Sequence, residues 1–196
     1  MEMDEIKRTL EAILFAAGEP VELQRLAAAI GEKESDVEAA LKSLSDEYSF
    51  ARRGIRILRL GSEWQMVSAS EQSEAIVRCL ETRKPPKLSA SALETLTVIA
   101  YYQPATKSFV EQLRGVDCSY SIFSLLNKKL ICESGRLSVP GRPILYSTTP
   151  DFLRVFGLES LEDLPEVDLP PEADPVRAAE LQMNALEAVE EKGNEA

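Results

Sequence analysis

The feature that most constrains this chain is a set of breaks that occurs twice at a constant spacing. In the first half, helix breaks are predicted at Pro20 and Gly31. In the second half, Pro104 and Gly115 lie 84 positions later. Three further pairs share this offset: Ala16 with Ala100, Ser35 with Ser119, and Leu41 with Leu125. Because proline and glycine interrupt helices, coincident breaks in two separately patterned halves indicate two copies of one supersecondary unit.

Apolar residues at helical spacing predict three helices in the first half, near residues 4–17, 22–30 and 35–48. Ser35 is predicted to cap the third of these helices. Extended segments on both sides of Gly61 then predict a hairpin, and three helices followed by a hairpin form a winged helix. The second half repeats this order, with its third helix near 119–130. The sequence therefore predicts a mainly α fold with small β wings (α+β): tandem winged-helix domains followed by an acidic tail.

These patterns divide the chain into four segments. They are an N-terminal winged helix at 1–82, a linker at 83–87, a C-terminal winged helix at 88–165, and an acidic, largely disordered tail at 166–196. In the tail, Leu181, Leu186 and Val189 are spaced loosely like one face of a helix. Two interpretations stay open for this segment: a solvated helix of marginal stability, or a helix that binds a partner.

Most of the excess negative charge lies at the carboxyl end of the chain. The net charge is -11, from 22 basic and 33 acidic residues. Residues 158–196 contain 12 of the acidic and 2 of the basic residues, whereas residues 88–157 contain 5 acidic and 7 basic residues. The second domain is therefore close to neutral, and the tail is predicted to repel nucleic acid.

The composition excludes several kinds of catalytic and metal site. The chain contains no histidine, which removes imidazole bases, Ser-His-Asp and Cys-His nucleophile systems, and metal sites with an imidazole ligand. Cys79, Cys118 and Cys132 form no C-x-x-C pair, which argues against a zinc cluster or a disulfide framework and favours a reducing cytoplasm. We predict no catalytic residue, no cofactor and no metal. The longest apolar run, at 12–17, is too short to span a membrane.

Winged helices often bind DNA through the third helix, but the charge pattern here argues against that function. The first of these helices is rich in acidic residues, and the second has basic residues only at its far end, Lys128 and Lys129. Four arginines near the first hairpin allow two interpretations, either solvated strand positions with local acidic partners or a weak auxiliary contact with DNA; they are Arg52, Arg53, Arg56 and Arg59. Aromatic residues concentrate in the second half, which favours a protein-binding surface there.

A set of short motifs carries a family resemblance. They are Leu88-Ser89, Ala92-Leu-Glu-Thr-Leu96, Ile99-Ala-Tyr101, Gln103-Pro104, Arg114-Gly-Val116, Pro140-Gly-Arg-Pro-Ile-Leu-Tyr146 and Asp163-Leu-Pro165, together with the N-terminal run Leu10-Glu-Ala-Ile-Leu-Phe-Ala-Ala-Gly-Glu-Pro20. In these motifs the chain resembles the segregation and condensation protein B family, over about residues 8–165. The stretch from Pro140 to Pro165 is the most specific part of the match.

The resemblance implies a bacterial or archaeal subunit without catalytic activity, cytoplasmic and associated with the nucleoid. It implies a homodimer formed by the first winged helix, for which we predict contacts by Leu10, Ile13 and Leu14. It also implies that the second winged helix binds a kleisin subunit, segregation and condensation protein A. The resemblance further implies that the kleisin connects the chain to an SMC ATPase in chromosome condensation and segregation.

For the kleisin contact we predict Tyr101, Gly141, Arg142, Pro143 and Tyr146. A guanidinium fork and an aromatic ring with a polar tip are side chains that anchor interfaces, although a purely structural turn set by glycine and proline is an equal alternative. Contact with DNA is predicted to be indirect or weak, and no membrane contact is predicted. The alternative function is a tandem winged-helix DNA-binding transcriptional regulator.

Overall fold

The structure is a computed structural model that describes residues 2–80, 87–138 and 140–167. The chain divides into two compact units, one made of Met1–Pro86 with Leu153–Leu164 and the other of Lys87–Phe152 with Pro165–Ala196. Residues 153–164, predicted above to belong to the second domain, therefore group with the first unit. The predicted linker except Lys87, and the predicted tail beyond Val167, lie outside the described residues. The domain boundaries stay a prediction.

Helices and a small antiparallel sheet build the first unit. Its elements are α1 (Met3–Ala17), β1 (Val21–Glu22), α2 (Leu23–Ile30), α3 (Glu34–Phe50), β2 (Ile55–Leu60), β3 (Glu63–Ser68) and α4 (Ser73–Leu80). The strands pair in the order β1-β3-β2, with Val21 opposite Trp64. The core joins α1 and α3 to this sheet, and Leu10, Leu14 and Leu41 are among its fully buried side chains.

The second unit has the same order of elements. They are α5 (Ala90–Tyr102), β4 (Ala105–Thr106), α6 (Lys107–Arg114), α7 (Ser119–Asn127), β5 (Ile131–Arg136) and β6 (Ile144–Thr148), after which α8 (Pro150–Phe156) follows. Its strands pair in the order β4-β6-β5, which matches the first sheet. Helix α5 packs on α7, where Leu96, Ile99 and Leu125 are buried.

Two glycines explain why the breaks recur at the same place in both units. Gly31 ends α2 with a φ of 78°, and its N–H donates to the carbonyl of Ala27 at 2.8 Å. Gly115 ends α6 in the same way, with a φ of 68° and a 2.8 Å bond to the carbonyl of Glu111. Other residues pay a steric cost in this left-handed conformation, so a glycine at both positions stops the short helix and turns the chain.

The coarse prediction of a mainly α fold with small antiparallel sheets is confirmed, and one local prediction is wrong. Helix α3 begins at Glu34 with Lys33 as its N-cap, so Ser35 lies inside the first turn and does not cap the helix. The Ser35 hydroxyl instead donates to the Asp36 carboxylate at 3.4 Å. In the second unit Ser89 does cap α5, since its hydroxyl accepts the N–H of Ala92 at 3.2 Å.

The two faces of α7 generate a prediction about stability. Leu125→Ala is expected to lower the free energy of unfolding by about 2–5 kcal/mol, because the side chain is fully buried and its truncation leaves a cavity. Phe123→Ala on the same helix is the matched control, since that ring is 62% exposed, and we expect a change of at most about 0.5 kcal/mol. Urea titration followed by circular dichroism measures both, and equal losses would contradict the assigned faces.

Candidate protein-binding surface

Helix α7 presents two aromatic rings to solvent. Ser121, Ile122 and Leu125 are buried on one side of the helix. On the other side Tyr120 is 81% exposed and Phe123 is 62% exposed. Residues three positions apart lie on the same helix face, so the two rings are neighbours. We call this pair the aromatic face of α7.

The turn between α6 and α7 is stabilised by the side chain of Arg114, which is almost fully buried. Its Nη1 donates to the Thr95 hydroxyl at 2.8 Å and to the Ser91 hydroxyl at 3.2 Å, which ties α6 to α5. The same nitrogen lies 3.3 Å from the Sγ of Cys118, the residue before α7. Its Nη2 donates to the Glu94 carboxylate at 2.6 Å, and this contact raises the pKa of Arg114 above its ordinary value.

A second contact fixes the same turn from the backbone. The Glu111 carboxylate accepts the N–H of Cys118 at 2.9 Å, at the position before the first residue of α7. The hydroxyls of Ser91 and Ser121 lie 3.0 Å apart and join α5 to the buried side of α7. Polar contacts and apolar packing together fix the buried side of α7 against its own unit. The aromatic face of the helix is therefore exposed to solvent.

The charge around the third helices does not suit a DNA-reading surface. Residues 119–127 contain no lysine or arginine, and Lys128 and Lys129 come only after the helix ends. In the first unit α3 begins with Glu34 and Asp36, whose charges repel a phosphate backbone. Glu38 on α3 pairs with Lys42 at 2.9 Å, and the pKa of Glu38 is lowered by that contact.

Three of the four arginines near the first hairpin make contacts within the first unit. Arg56 donates to the Glu71 carboxylate at 3.3 Å, and Arg59 lies 3.4 Å from the carboxylate of Glu38. The guanidinium of Arg53 lies over the ring of Tyr48, 4.7 Å from its centroid. Local acidic partners for Arg56 and Arg59 agree with the first of the two interpretations given above.

The residues predicted for the kleisin contact occupy two parts of the second unit. Tyr101 lies in the last turn of α5, where its hydroxyl donates to the carbonyl of Pro165 at 2.7 Å. Gly141 and Arg142 are exposed in the connection from β5 to β6, both with positive φ, and Pro143 ends that connection half-buried. Their role in binding stays a prediction.

Tyr146, the fifth residue of that set, supports the sheet. It lies in β6, with Ala105 opposite on one side and Glu133 opposite on the other. Its ring is buried, and this burial, with the nearby Glu133 carboxylate, raises the pKa of its hydroxyl. The side chain therefore offers little surface to a partner.

The residues predicted for dimerisation lie mainly inside the first unit. Leu10 and Leu14 are fully buried in its core, and Ile13 is half-buried against that core. Both leucines already face their own unit, so neither has surface to offer to a second copy. Two large apolar side chains of α1 lie at the surface, Phe15, which is 78% exposed, and Met3, which is 46% exposed. The dimer itself stays a prediction.

The sequence analysis counted Phe123 among the aromatic residues of the second half but missed Tyr120 and the pairing of the two on one helix face. Their signal was present: two aromatic residues at i and i+3 in a segment without charges from 119 to 127. Within residues 2–80, 87–138 and 140–167, no cluster of acidic and cysteine side chains is arranged to hold a metal ion. In the same ranges, no helix has the length and apolar character required to cross a membrane.

The sequence matches one family over most of its length. Residues 8–167 match the family described as segregation and condensation complex subunit ScpB. The segregation and condensation protein B of Lachnoclostridium phytofermentans is 40% identical over 190 residues, which cover 97% of this chain and 97% of that protein. The protein of the same name from Caldanaerobacter subterraneus subsp. tengcongensis is 45% identical over 159 residues, or 81% of this chain and 95% of that protein.

A solved structure also aligns with part of the chain. It is a dimer of an ScpB N-terminal domain complexed with an ScpA peptide, 26% identical, and the alignment covers 39% of this chain and 96% of that one. Its TM-score is 0.38, which is too low to support an argument about this chain. Family membership therefore rests on the sequence matches.

Proposed function

This chain belongs to the segregation and condensation complex subunit ScpB family, and from that membership we propose that it is a homodimeric, non-catalytic subunit that binds the kleisin of an SMC complex. The resemblance found in the sequence is thereby confirmed, and the family disfavours the alternative of a transcriptional regulator. In this proposal the chain acts in the cytoplasm at the nucleoid. It supports chromosome condensation and segregation through the kleisin and the SMC ATPase, and it contacts DNA weakly or indirectly.

Each unit is proposed to be a winged helix, with α3 and α7 as the third helices. The order of helices and strands supports this proposal, because each sheet adds a hairpin to three helices. The hairpins β2–β3 and β5–β6 are the two wings. The acidic tail at 166–196 completes the proposed organisation, and all of it except Glu166 and Val167 lies outside the described residues.

The observation that carries the proposed function is the aromatic face of α7. A third helix that reads DNA needs side chains that donate to or accept from base edges and phosphates. Here the corresponding outward positions hold the rings of Tyr120 and Phe123. Exposed aromatic side chains on a rigid helix are the type that anchors protein interfaces. The face therefore fits an apolar segment of the kleisin better than a DNA groove.

Arg142 adds a separate contact to the proposed kleisin site. It is exposed at the β5–β6 connection, where its carbonyl accepts from Arg136 at 3.2 Å and its backbone is held at a φ of 40°. Tyr101, Gly141 and Pro143 remain part of the proposed site, while Tyr146 acts by supporting the sheet.

Dimerisation through the first unit is proposed to use the outer side of α1. Leu10 and Leu14 pack α1 against the core of its own unit, and Phe15 is the most exposed apolar side chain of this helix that a second copy can cover. A self-complementary contact of this kind is typical of two-fold symmetric dimers.

The first test concerns the aromatic face. We expect Tyr120→Ala with Phe123→Ala to weaken binding of segregation and condensation protein A from the same genome by about thirtyfold or more, since central aromatic anchors contribute about 2 kcal/mol or more. Isothermal titration calorimetry measures the affinity. Arg142→Ala is measured in parallel and is expected to cause a smaller loss.

Phe50→Ala is the matched control for this test. That ring is 93% exposed at the end of α3 and is not part of the proposed kleisin site, so its removal should leave kleisin affinity unchanged. Unchanged affinity in the Tyr120 and Phe123 double variant, with its fold intact by circular dichroism, would refute the proposed site.

The second test concerns the dimer. We expect Phe15→Glu to shift the chain from dimer to monomer at tens of micromolar, because a charge buried in an apolar contact between copies lacks a partner. Light scattering coupled to size exclusion measures the mass, and Phe50→Glu serves as the control with an equal change in charge. A Phe15→Glu protein that stays dimeric would show that α1 is not the contact.

A further inference from the structure

We propose that the outer edge of β5 binds an extended acidic segment of the kleisin, which joins the second sheet as a fourth strand. This proposal rests on the proposed function and deepens it, because it gives the kleisin a contact in addition to the aromatic face of α7. In strand addition, the backbone of the edge strand supplies affinity and the neighbouring side chains supply specificity.

Strand β5 is an edge strand with an uncovered surface. In the order β4-β6-β5 it pairs with β6 on one side, and no strand among the described residues pairs with its other side. Its first residue, Ile131, is buried, whereas the residues from Cys132 to Arg136 are all exposed. Such an edge presents backbone donors and acceptors with which another chain can pair.

The first unit covers its equivalent edge strand, β2, with its own third helix. Helix α3 packs against β2, and near the end of α3 the Ser45 hydroxyl donates to the carbonyl of Ile57 at 2.8 Å. Ser45 corresponds to Lys129 at the offset of 84 residues, and α7 ends before that position, at Asn127. Helix α7 is therefore too short to cover β5 in the same way.

The hydrogen bonds of β6 show which of its residues face β5. The N–H of Thr148 donates to the side-chain oxygen of Gln103 at 2.6 Å. Two positions earlier, Tyr146 lies opposite Ala105 of β4. Thr148 and Tyr146 therefore point away from β5. Because alternate residues of an antiparallel strand point to opposite sides, Ser147 between them points towards β5.

This alternation identifies the backbone groups at the open edge of β5. Cys132 lies opposite Ser147, so its backbone bonds to β6. Glu133 lies opposite Tyr146, so the N–H and the carbonyl of Glu133 point away from β6. These two groups are available to a partner strand.

A β-bulge limits the partner to a short segment. The register of β5 on β6 shifts between Glu133 and Gly135. Beyond the bulge, the N–H of Leu137 donates to the carbonyl of Pro143 at 3.0 Å, so the N–H of Arg136 points to the open edge. A bulge twists an edge strand and disfavours pairing with a long, flat strand. The edge therefore suits a short segment that bonds to the backbone of Glu133 and Arg136.

The charge along this edge favours an acidic partner. Residues 128–142 contain four basic residues and one acidic residue, in a chain whose net charge is -11. Arg136 and Arg142 are exposed at one end of β5, and Lys129 is exposed just before its other end. A second copy of β5 would bring the same positive charges together, whereas an extended segment with acidic side chains is attracted.

The first experiment measures hydrogen exchange of single amides by NMR in the full-length chain, with and without saturating segregation and condensation protein A from the same genome. We expect the amides of Glu133 and Arg136 to exchange about tenfold more slowly in the complex, because each gains an acceptor. The amide of Cys132 is the internal control, since it is already bonded to β6 in the free chain.

Three results would overturn the proposal. Unchanged exchange at Glu133 and Arg136, in a complex whose formation is measured by calorimetry, refutes the contact with β5 and leaves the proposed function standing. Slow exchange in the free chain that depends on its concentration would assign this edge to a second copy. Failure of segregation and condensation protein A to bind at all would refute the proposed function and this inference with it.

The second experiment removes the outward donor. Glu133→Pro eliminates the N–H that faces the open edge, and we expect the kleisin affinity to fall by about threefold to tenfold. Glu133→Ala is the matched control, because it keeps this N–H and should not weaken binding. Circular dichroism checks the fold of both variants. Equal affinities of two folded variants would contradict the backbone contact.

The third experiment tests the charge and does not depend on whether the proline variant folds. Glu133→Lys keeps the backbone donor and should bind the kleisin about threefold more tightly at low salt, with the gain lost at high salt. Glu74→Lys, at an exposed position of α4, makes the same change in net charge and should leave the affinity unchanged. Equal affinities of these two variants at low salt would contradict an acidic partner.

Discussion

One guanidinium group determines how the second unit presents its outer surface. Arg114 is nearly buried, and a buried cation is costly unless its donors are used. Here its two terminal nitrogens reach two hydroxyls, a thiol and a carboxylate from the elements on either side. The orientation of α7 follows, because the residue before this helix is held both by Arg114 and by the carboxylate of Glu111. The aromatic face of α7 thus depends on a polar contact beneath it.

The organisation of the fold was predictable where local chemistry decides it. Gly31 and Gly115 are needed at left-handed positions, so the helix ends can be read from the sequence. The start of α3 was misread at Ser35, because an N-cap depends on which residue has the extended backbone conformation, and Lys33 has it. A serine favours the N-cap position, but the backbone conformation decides which residue occupies that position.

The site was less predictable than the fold, for a reason that Leu10 and Phe15 illustrate. Helical periodicity identifies an apolar face without saying whether the face packs within its own unit or against another molecule. Leu10 satisfies the pattern and lies in the core, whereas Phe15 departs from it and lies at the surface. Several motif residues behave like Leu10: Ser89 caps a helix, Gln103 accepts the N–H of Thr148 at 2.6 Å, and Tyr146 fills the sheet. The resemblance identified the family through residues that build the scaffold.

The separation between the two sides of α7 has a consequence for how partner choice can diverge. Stability resides in Ser121, Ile122 and Leu125, while Tyr120 and Phe123 contribute little to the core. Substitutions on the outer side can therefore accumulate without unfolding the unit. With the kleisin bound to this side as proposed, paired changes in the two proteins create mutually exclusive complexes, and two such systems in one cell stay orthogonal while sharing the same scaffold.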